Sequence, residues 1–225
     1  MDDIAVITGD IIDSTMIPLE KRESILNELK SSFVEINEKL LKDDKNPFEI
    51  YRGDSFQAVI VKPELSLLVG ILIRSKLRSL TFGTKTETRR QFINNCDARI
   101  SIGIGTLDYR GAQIIESDGK AFQYSGRLIE SMKRTGSNLS MQTPWDNINE
   151  EMNVSLAFTS YVISRWTQKQ AETIYLYLLN NESQTELATK LKVSQPMIHR
   201  RLDMGQMDSI ELLLNRFQRI IIKNQ

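Results

Sequence analysis

Ile100, Ile102 and Ile104 alternate with Ser101, Gly103 and Gly105. Period two is the signature of a strand, so residues 98–106 present one bulky face and one bare face. Glycine inside a strand gives up packing and is used where another group comes close, so something must lie against that bare face. A second apolar run, Ile4-Ala5-Val6-Ile7, stops at Thr8-Gly9-Asp10 and reads as a buried strand ending on an acid. Residues 48–51 and 56–61 are strand-like runs on either side of Arg52-Gly53-Asp54-Ser55. Gly53 can take the positive φ of a tight turn, which makes this a hairpin with Asp54 at its tip.

Between the strands the periodicity changes. Leu26, Leu29, Phe33, Ile36 and Leu40 follow helical spacing within residues 19–41. Pro63 at a first helical turn opens a second helix over residues 64–80, with Leu65, Leu68, Leu72 and Ile73 apolar. The polar stretch 81–97 reads as a loop and holds Cys96 as an incidental thiol. The order β-α-β-β-α-β predicts an α+β, ferredoxin-like first domain (residues 1–145), its sheet covered by helices on one side. A helix over 119–132 and a strand over 138–142 complete it. From residue 146 the pattern is helical to the end, with segments 161–181, 184–191, 195–203 and 207–223, and predicts a second, all-α domain over 146–225. The two parts are expected to pack against each other. Trp145 and Trp166 flank the junction as packing residues.

Lys+Arg and Asp+Glu both total 29, so a nucleic-acid partner must be met by a local patch rather than a global field. One cysteine excludes an internal disulfide, and one histidine, His199, excludes a multi-His zinc site. The most apolar window, 65–73, is broken by Arg74, Lys76 and Arg78 before it reaches the roughly 20 residues that cross a bilayer. These features predict a cytoplasmic protein with no membrane partner.

In a sheet of this order, Asp54 at the hairpin tip comes beside Asp10 at the end of the first strand. Two carboxylates and a few waters suit Mg²⁺ or Mn²⁺, which also hold substrate phosphates. An Asp at a strand end and an Asp in a glycine turn are equally ordinary turn formers. Four segments carry more: Ile7-Thr8-Gly9-Asp10-Ile11-Ile12, Arg52-Gly53-Asp54-Ser55-Phe56, Arg99 to Gly105, and Gly119-Lys120-Ala121-Phe122-Gln123-Tyr124-Ser125-Gly126-Arg127-Leu128. In this order they resemble the motifs of the class III nucleotide cyclase palm domain over about residues 1–135.

The resemblance implies that Asp10 and Asp54, with the Ile11 carbonyl, hold metal ions on a nucleoside triphosphate. It implies a homodimer in which Gln123 and Arg127 serve as the catalytic pair across the interface, and it places Gly53, Ile50 and Glu116 at the nucleotide. Two positions depart from the pattern: Gln123 stands where the cyclases have Asn, and Ile50 where they have a purine-selecting Lys. Ser55 stands where a diguanylate cyclase signature needs an acid. The whole chain is similar to the SatD-type proteins, a cyclase-like domain followed by a helix-turn-helix.

Residues 184–203 have the spacing of that motif. Leu187, Ala188, Leu191, Val193, Ile198 and Leu202 would face inward, with Ser194 capping the second helix and Pro196 in its first turn. A second helix of this kind enters the major groove. Gln195, Met197, His199, Arg200 and Arg201 would then meet bases and phosphates, Thr185, Lys190 and Lys192 would meet backbone phosphates, and Ser194 joins them as a DNA-binding residue. Residues 169–223 hold eight Lys and Arg against six Asp and Glu, a modest excess. The last helix could cover this motif or form a dimer. The sequence thus predicts a DNA-binding transcriptional regulator whose first domain senses a metal–nucleotide. The alternative is an active nucleotide cyclase with an appended interaction domain.

Overall fold

The computed structural model describes residues 3–43, 47–51, 53–82 and 95–225. Arg52 and most of the polar stretch 81–97 lie outside the described residues. Five strands, β1 (Ile4–Ile11), β2 (Phe48–Tyr51), β3 (Ser55–Ile60), β4 (Ala98–Gly105) and β5 (Leu139–Gln142), form one mixed sheet in the order β2-β3-β1-β4-β5. The first four pair antiparallel and β5 runs parallel to β4, so a split βαβ core has gained one strand.

Register explains the two faces. Directly opposed residues share a face. One face carries Ile50, Phe56, Gly9, Ile100 and Leu139 in one row, then Phe48, Ala58, Ile7, Ile102 and Met141 in the next. Helices α1 (Leu19–Ile36) and α2 (Ser66–Arg78) cover this apolar face. Gly9 is required there, since a Cβ would fall 2.3 Å from the buried Phe56 ring.

The opposite face is where the structure departs from the one-sided sheet that the sequence predicts. Helix α3 (Lys120–Thr135) lies across it, packing Ala121 and Phe122 on Ile4, Val6 and Val59. The bare face of β4 is thus the seat of α3: a Cβ on Gly103 would stand 2.2 Å from the Ala121 carbonyl oxygen. The sheet carries helices on both sides because β4, α3 and β5 form a parallel crossover, which places its helix on the face opposite α1 and α2.

Two helices differ in extent. The first continues into a π-helical turn at Asn37–Leu41, and the second is preceded by a 3-10 turn at Pro63–Leu65. The segment 161–181 is not one helix. α4 (Asp146–Ser164) stops before Trp166, and α5 (Gln168–Asn180) starts afresh at a capping box of Thr167 and Gln170. α6 (Gln184–Leu191), α7 (Gln195–Met204) and α8 (Met207–Asn224) follow. Ile210, Phe217, Ile220 and Ile221 of α8 are buried within the chain, so its stripe covers neighbouring helices.

One hydrophobic core runs from β1 through α2 to Trp166, Ile174 and Phe217, with no break at residue 145. At its centre are the two arginines that interrupt the apolar window in sequence. Arg74 is fully buried and grips Asp97 at both oxygens, 2.9 and 2.7 Å, while it donates to Ser160 Oγ at 2.9 Å. Arg78 donates to the carbonyls of Ser164 and Trp166, and Trp166 Nε1 donates to the Gly205 carbonyl. The breaks in hydropathy therefore mark where α2 holds the helical layer. Cys96, expected as an incidental thiol in a polar loop, is interior. Burial, reinforced by the Asp97 charge, pushes its thiol up to about 12. Among the described residues no helix is long and apolar enough to cross a membrane.

Candidate functional site

Asp10 and Asp54 come to the same end of the sheet. Asp10 pairs with Ser55, and the Ile11 amide donates to the Asp54 carbonyl at 3.0 Å, so the two acids sit on adjoining strand ends. Gly53 turns the hairpin with φ +74 and touches nothing within 4 Å where a side chain would be. The carboxylates themselves have separate partners. Asp54 Oδ2 accepts from Ser14 Oγ at 2.6 Å, which ties the tip to the 3-10 turn Ser14–Met16 after β1. Asp10 Oδ2 accepts from Arg99 at 2.8 Å across the β1–β4 ladder.

Between the hairpin tip and the start of α1 lies a cavity of about 300 Å³, bounded by Ile11, Ser14, Thr15, Arg22, Gly53 and Asp54. Arg22 folds over its rim and donates to the carbonyls of Ile17 and Thr15. Beside the strand end, Asp10 Oδ1 is buried and has no hydrogen-bond partner among the described residues. A buried carboxylate oxygen without a donor is costly, and a cation is one way to satisfy it. The donor set of Asp10, Asp54 and the Ile11 carbonyl, all oxygen, fits Mg²⁺ or Mn²⁺. No cluster of three or more metal-ligating side chains occurs among the described residues, so remaining ligands would be water or phosphate.

The other predicted site residues lie apart. Ile50 pairs with Phe56 on the apolar face and packs, partly buried, against the core. Glu116 is at the far end of the sheet, beyond Gly105, where its carboxylate accepts from the amides of Ala112 and Gln113 to close a turn. Gln123 is half-buried near the start of α3, and Arg127 projects exposed from the same helix. Neither bonds Asp10, whose side-chain partner is Arg99, or Asp54, whose partner is Ser14.

Sequence reasoning missed Arg99 as the partner of Asp10. The signal was the alternation itself, for a period of two puts Arg99 on the bare face with Ser101 and Gly103. That row reads Tyr51, Ser55, Asp10, Arg99 across four strands. The next row is bonded beneath α3: Gln57 donates to Thr8 Oγ1, Thr8 to Ser125 Oγ, and Ser101 to the Ser125 carbonyl.

In the helical part, Leu187, Ala188, Ile198 and Leu202 are buried, and α7 seats on α5 and α6. Lys192 makes the turn between α6 and α7 with φ 54. Ser194 occupies the N-cap of α7 but its side chain makes no capping bond; Ser183 does so for α6. Thr185, Lys190, Lys192, Ser194, Gln195, His199 and Arg200 are exposed, and Met197 is 41% exposed. Arg201 turns inward to Thr173 Oγ1 at 3.2 Å, Gln195 bonds Gln184, and Lys190 pairs with Glu182.

The SatD family profile matches residues 3–217, nearly the whole chain. The chain belongs to the SatD family. Solved structures similar to this SatD protein include the active GGEEF domain of a diguanylate cyclase from Vibrio cholerae, at 16% identity and TM-score 0.43 over 63% of this chain and 83% of that one. A bacterial light-regulated adenylyl cyclase is similar at 16% identity and TM-score 0.41, over 62% of this chain and 75% of that one. Comparison with curated proteins gave no match.

Proposed function

We propose that this SatD protein is a DNA-binding regulator whose sheet domain binds a metal–nucleotide. The observation that carries the DNA reading is α7: Ile198 and Leu202 fasten it to the helices beneath, while Met197, His199 and Arg200 are exposed along it and Gln195, exposed in its first turn, bonds Gln184 of α6. That is the disposition of a helix that enters the major groove, where Arg reads guanine and Gln reads adenine. Lys190 and Lys192, at the end of α6 and in the turn, suit phosphate contacts. Arg201, held by Thr173, would support the helix rather than touch a base.

At the other end, Asp10, Asp54 and the Ile11 carbonyl would hold Mg²⁺ or Mn²⁺, which neutralises triphosphate charge. Arg127, exposed on α3, would serve the triphosphate of a second copy in a homodimer, with Gln123 beside it. Ile50 is an apolar packing residue and Gln123 is longer than the Asn of an active site, and both favour binding over turnover. With no hydrogen-bonding group at position 50 to read a purine edge, ATP and GTP should bind alike.

A mobility-shift assay on duplex genomic fragments, with and without nucleotide, tests the DNA reading. Binding should weaken as salt rises, and Arg200→Ala should cost about 1–3 kcal/mol. No shift at any salt, with or without nucleotide, would overturn it. Calorimetry tests the sheet domain separately. ATP and GTP should bind with Mn²⁺ at similar affinity and Asp54→Ala should abolish both, whereas brisk base-specific cyclisation would favour the enzyme.

A further inference from the structure

Arg99 is the only side chain bonded to Asp10 among the described residues, and it takes one oxygen while the other is left without a partner. Both side chains are largely withdrawn from water, at 15% and 16% exposure, so the pair is screened less than a surface one. Asp10 and Asp54 bring two negative charges to this end of the sheet and Arg99 returns one, which leaves a net charge of one carboxylate there; Asp54 lines the cavity, and Asp10 and Arg99 stand beside it at the strand ends. Further positive charge stands nearby: Arg22 lines the cavity, and Lys133 on α3 is close enough to feel both Asp10 and Arg99, its own bonded partner being Glu130.

We infer that Arg99 makes the site selective for a metal already complexed to a triphosphate over the free divalent ion. The inference rests on the metal–nucleotide reading above and names its regulation. With Oδ2 accepting from Arg99, Oδ1 is the Asp10 oxygen left wholly free for a metal. A lone divalent cation meets the repulsion of the guanidinium without enough carboxylate to offset it. A triphosphate supplies the missing negative charge and further oxygen ligands, so metal and nucleotide arrive as one unit. Arg99 acts here through Asp10 and is a positioning residue.

The test is Mn²⁺ titration of the full chain, followed by the electron paramagnetic resonance of the free ion, with and without a non-hydrolysable ATP analogue. Wild-type protein should bind Mn²⁺ weakly alone and much more tightly with the analogue. Arg99→Gln should bind Mn²⁺ alone about tenfold more tightly or better, the scale of removing one unit charge a few ångströms from the ion, and should gain less from the nucleotide. Arg99→Lys keeps the charge and should behave as wild type, with circular dichroism reporting the fold of each variant. If Arg99→Gln binds free Mn²⁺ no better than wild type, or Arg99→Lys tightens as much as Arg99→Gln, the inference fails while the site stands. If Asp54→Asn leaves Mn²⁺ binding unchanged with and without the analogue, the metal–nucleotide reading fails and this inference with it.

Discussion

Asp97→Ala should lower the unfolding free energy by about 3–5 kcal/mol, the cost of leaving a buried charge without its partner. Arg74 is fully buried, takes two of its bonds from Asp97, and has only Ser160 to fall back on. Asp97 Oδ1 also accepts from the Ala98 amide at 2.8 Å, so the same change frees the first residue of β4. Urea unfolding followed by circular dichroism measures the loss. The double variant Arg74→Met with Asp97→Leu should recover much of it, because exchanging both members of a buried pair for apolar groups removes the uncompensated charge. A single-variant loss under 1 kcal/mol would mean that water reaches Arg74.

Gly103→Ala should be the most damaging small substitution in the sheet. The added methyl would stand 2.2 Å from the Ala121 carbonyl oxygen and 2.5 Å from the Ser125 amide nitrogen. Both are backbone atoms, so no side chain can turn aside and α3 itself must lift. Overpacking of a tight core costs about 1–3 kcal/mol, and displacement of a helix backbone puts this site at the upper end. The lift also pulls Ser125 off Ser101 and Thr8, bonds of 2.8 and 3.1 Å. Hydrogen exchange should speed up along α3 first. Gly126→Ala, on the same helix but facing open space, is the control and should be neutral or mildly stabilising.

These two sites show what the sequence discloses and what it hides. The alternation of Ile100, Ile102 and Ile104 with small residues announced both the strand and the close approach, because period two and the missing Cβ are local facts. It could not say which segment approaches, since α3 is distant along the chain. The hairpin and the two aspartates were legible for the same local reason. The buried arginines were not: Arg74 and Arg78 look like solvated breaks in an apolar window until Asp97, Ser160 and the Trp166 carbonyl arrive from elsewhere. Arg99 was half legible, its face given by parity and its partner Asp10 only by register. Glu116 was assigned to the nucleotide by resemblance alone, and the turn it closes lies at the far end of the sheet.

α1 begins just after the turn that holds Asp54 through Ser14, and it runs about 27 Å toward the helical layer. Near its other end, Glu35 accepts from the Tyr175 hydroxyl of α5 at 2.9 Å, and Lys39 in the following π-helical turn bonds Asn180. α5 in turn carries Arg201 of α7 on Thr173. One core joins sheet and helices among the described residues. If the protein is the regulator proposed above, a change at the acidic end would reach α7 as shear, in which α1 slides by a fraction of a side chain and carries α5 with it. On that reading a single helix, α1, spans the distance between the acidic end and α5.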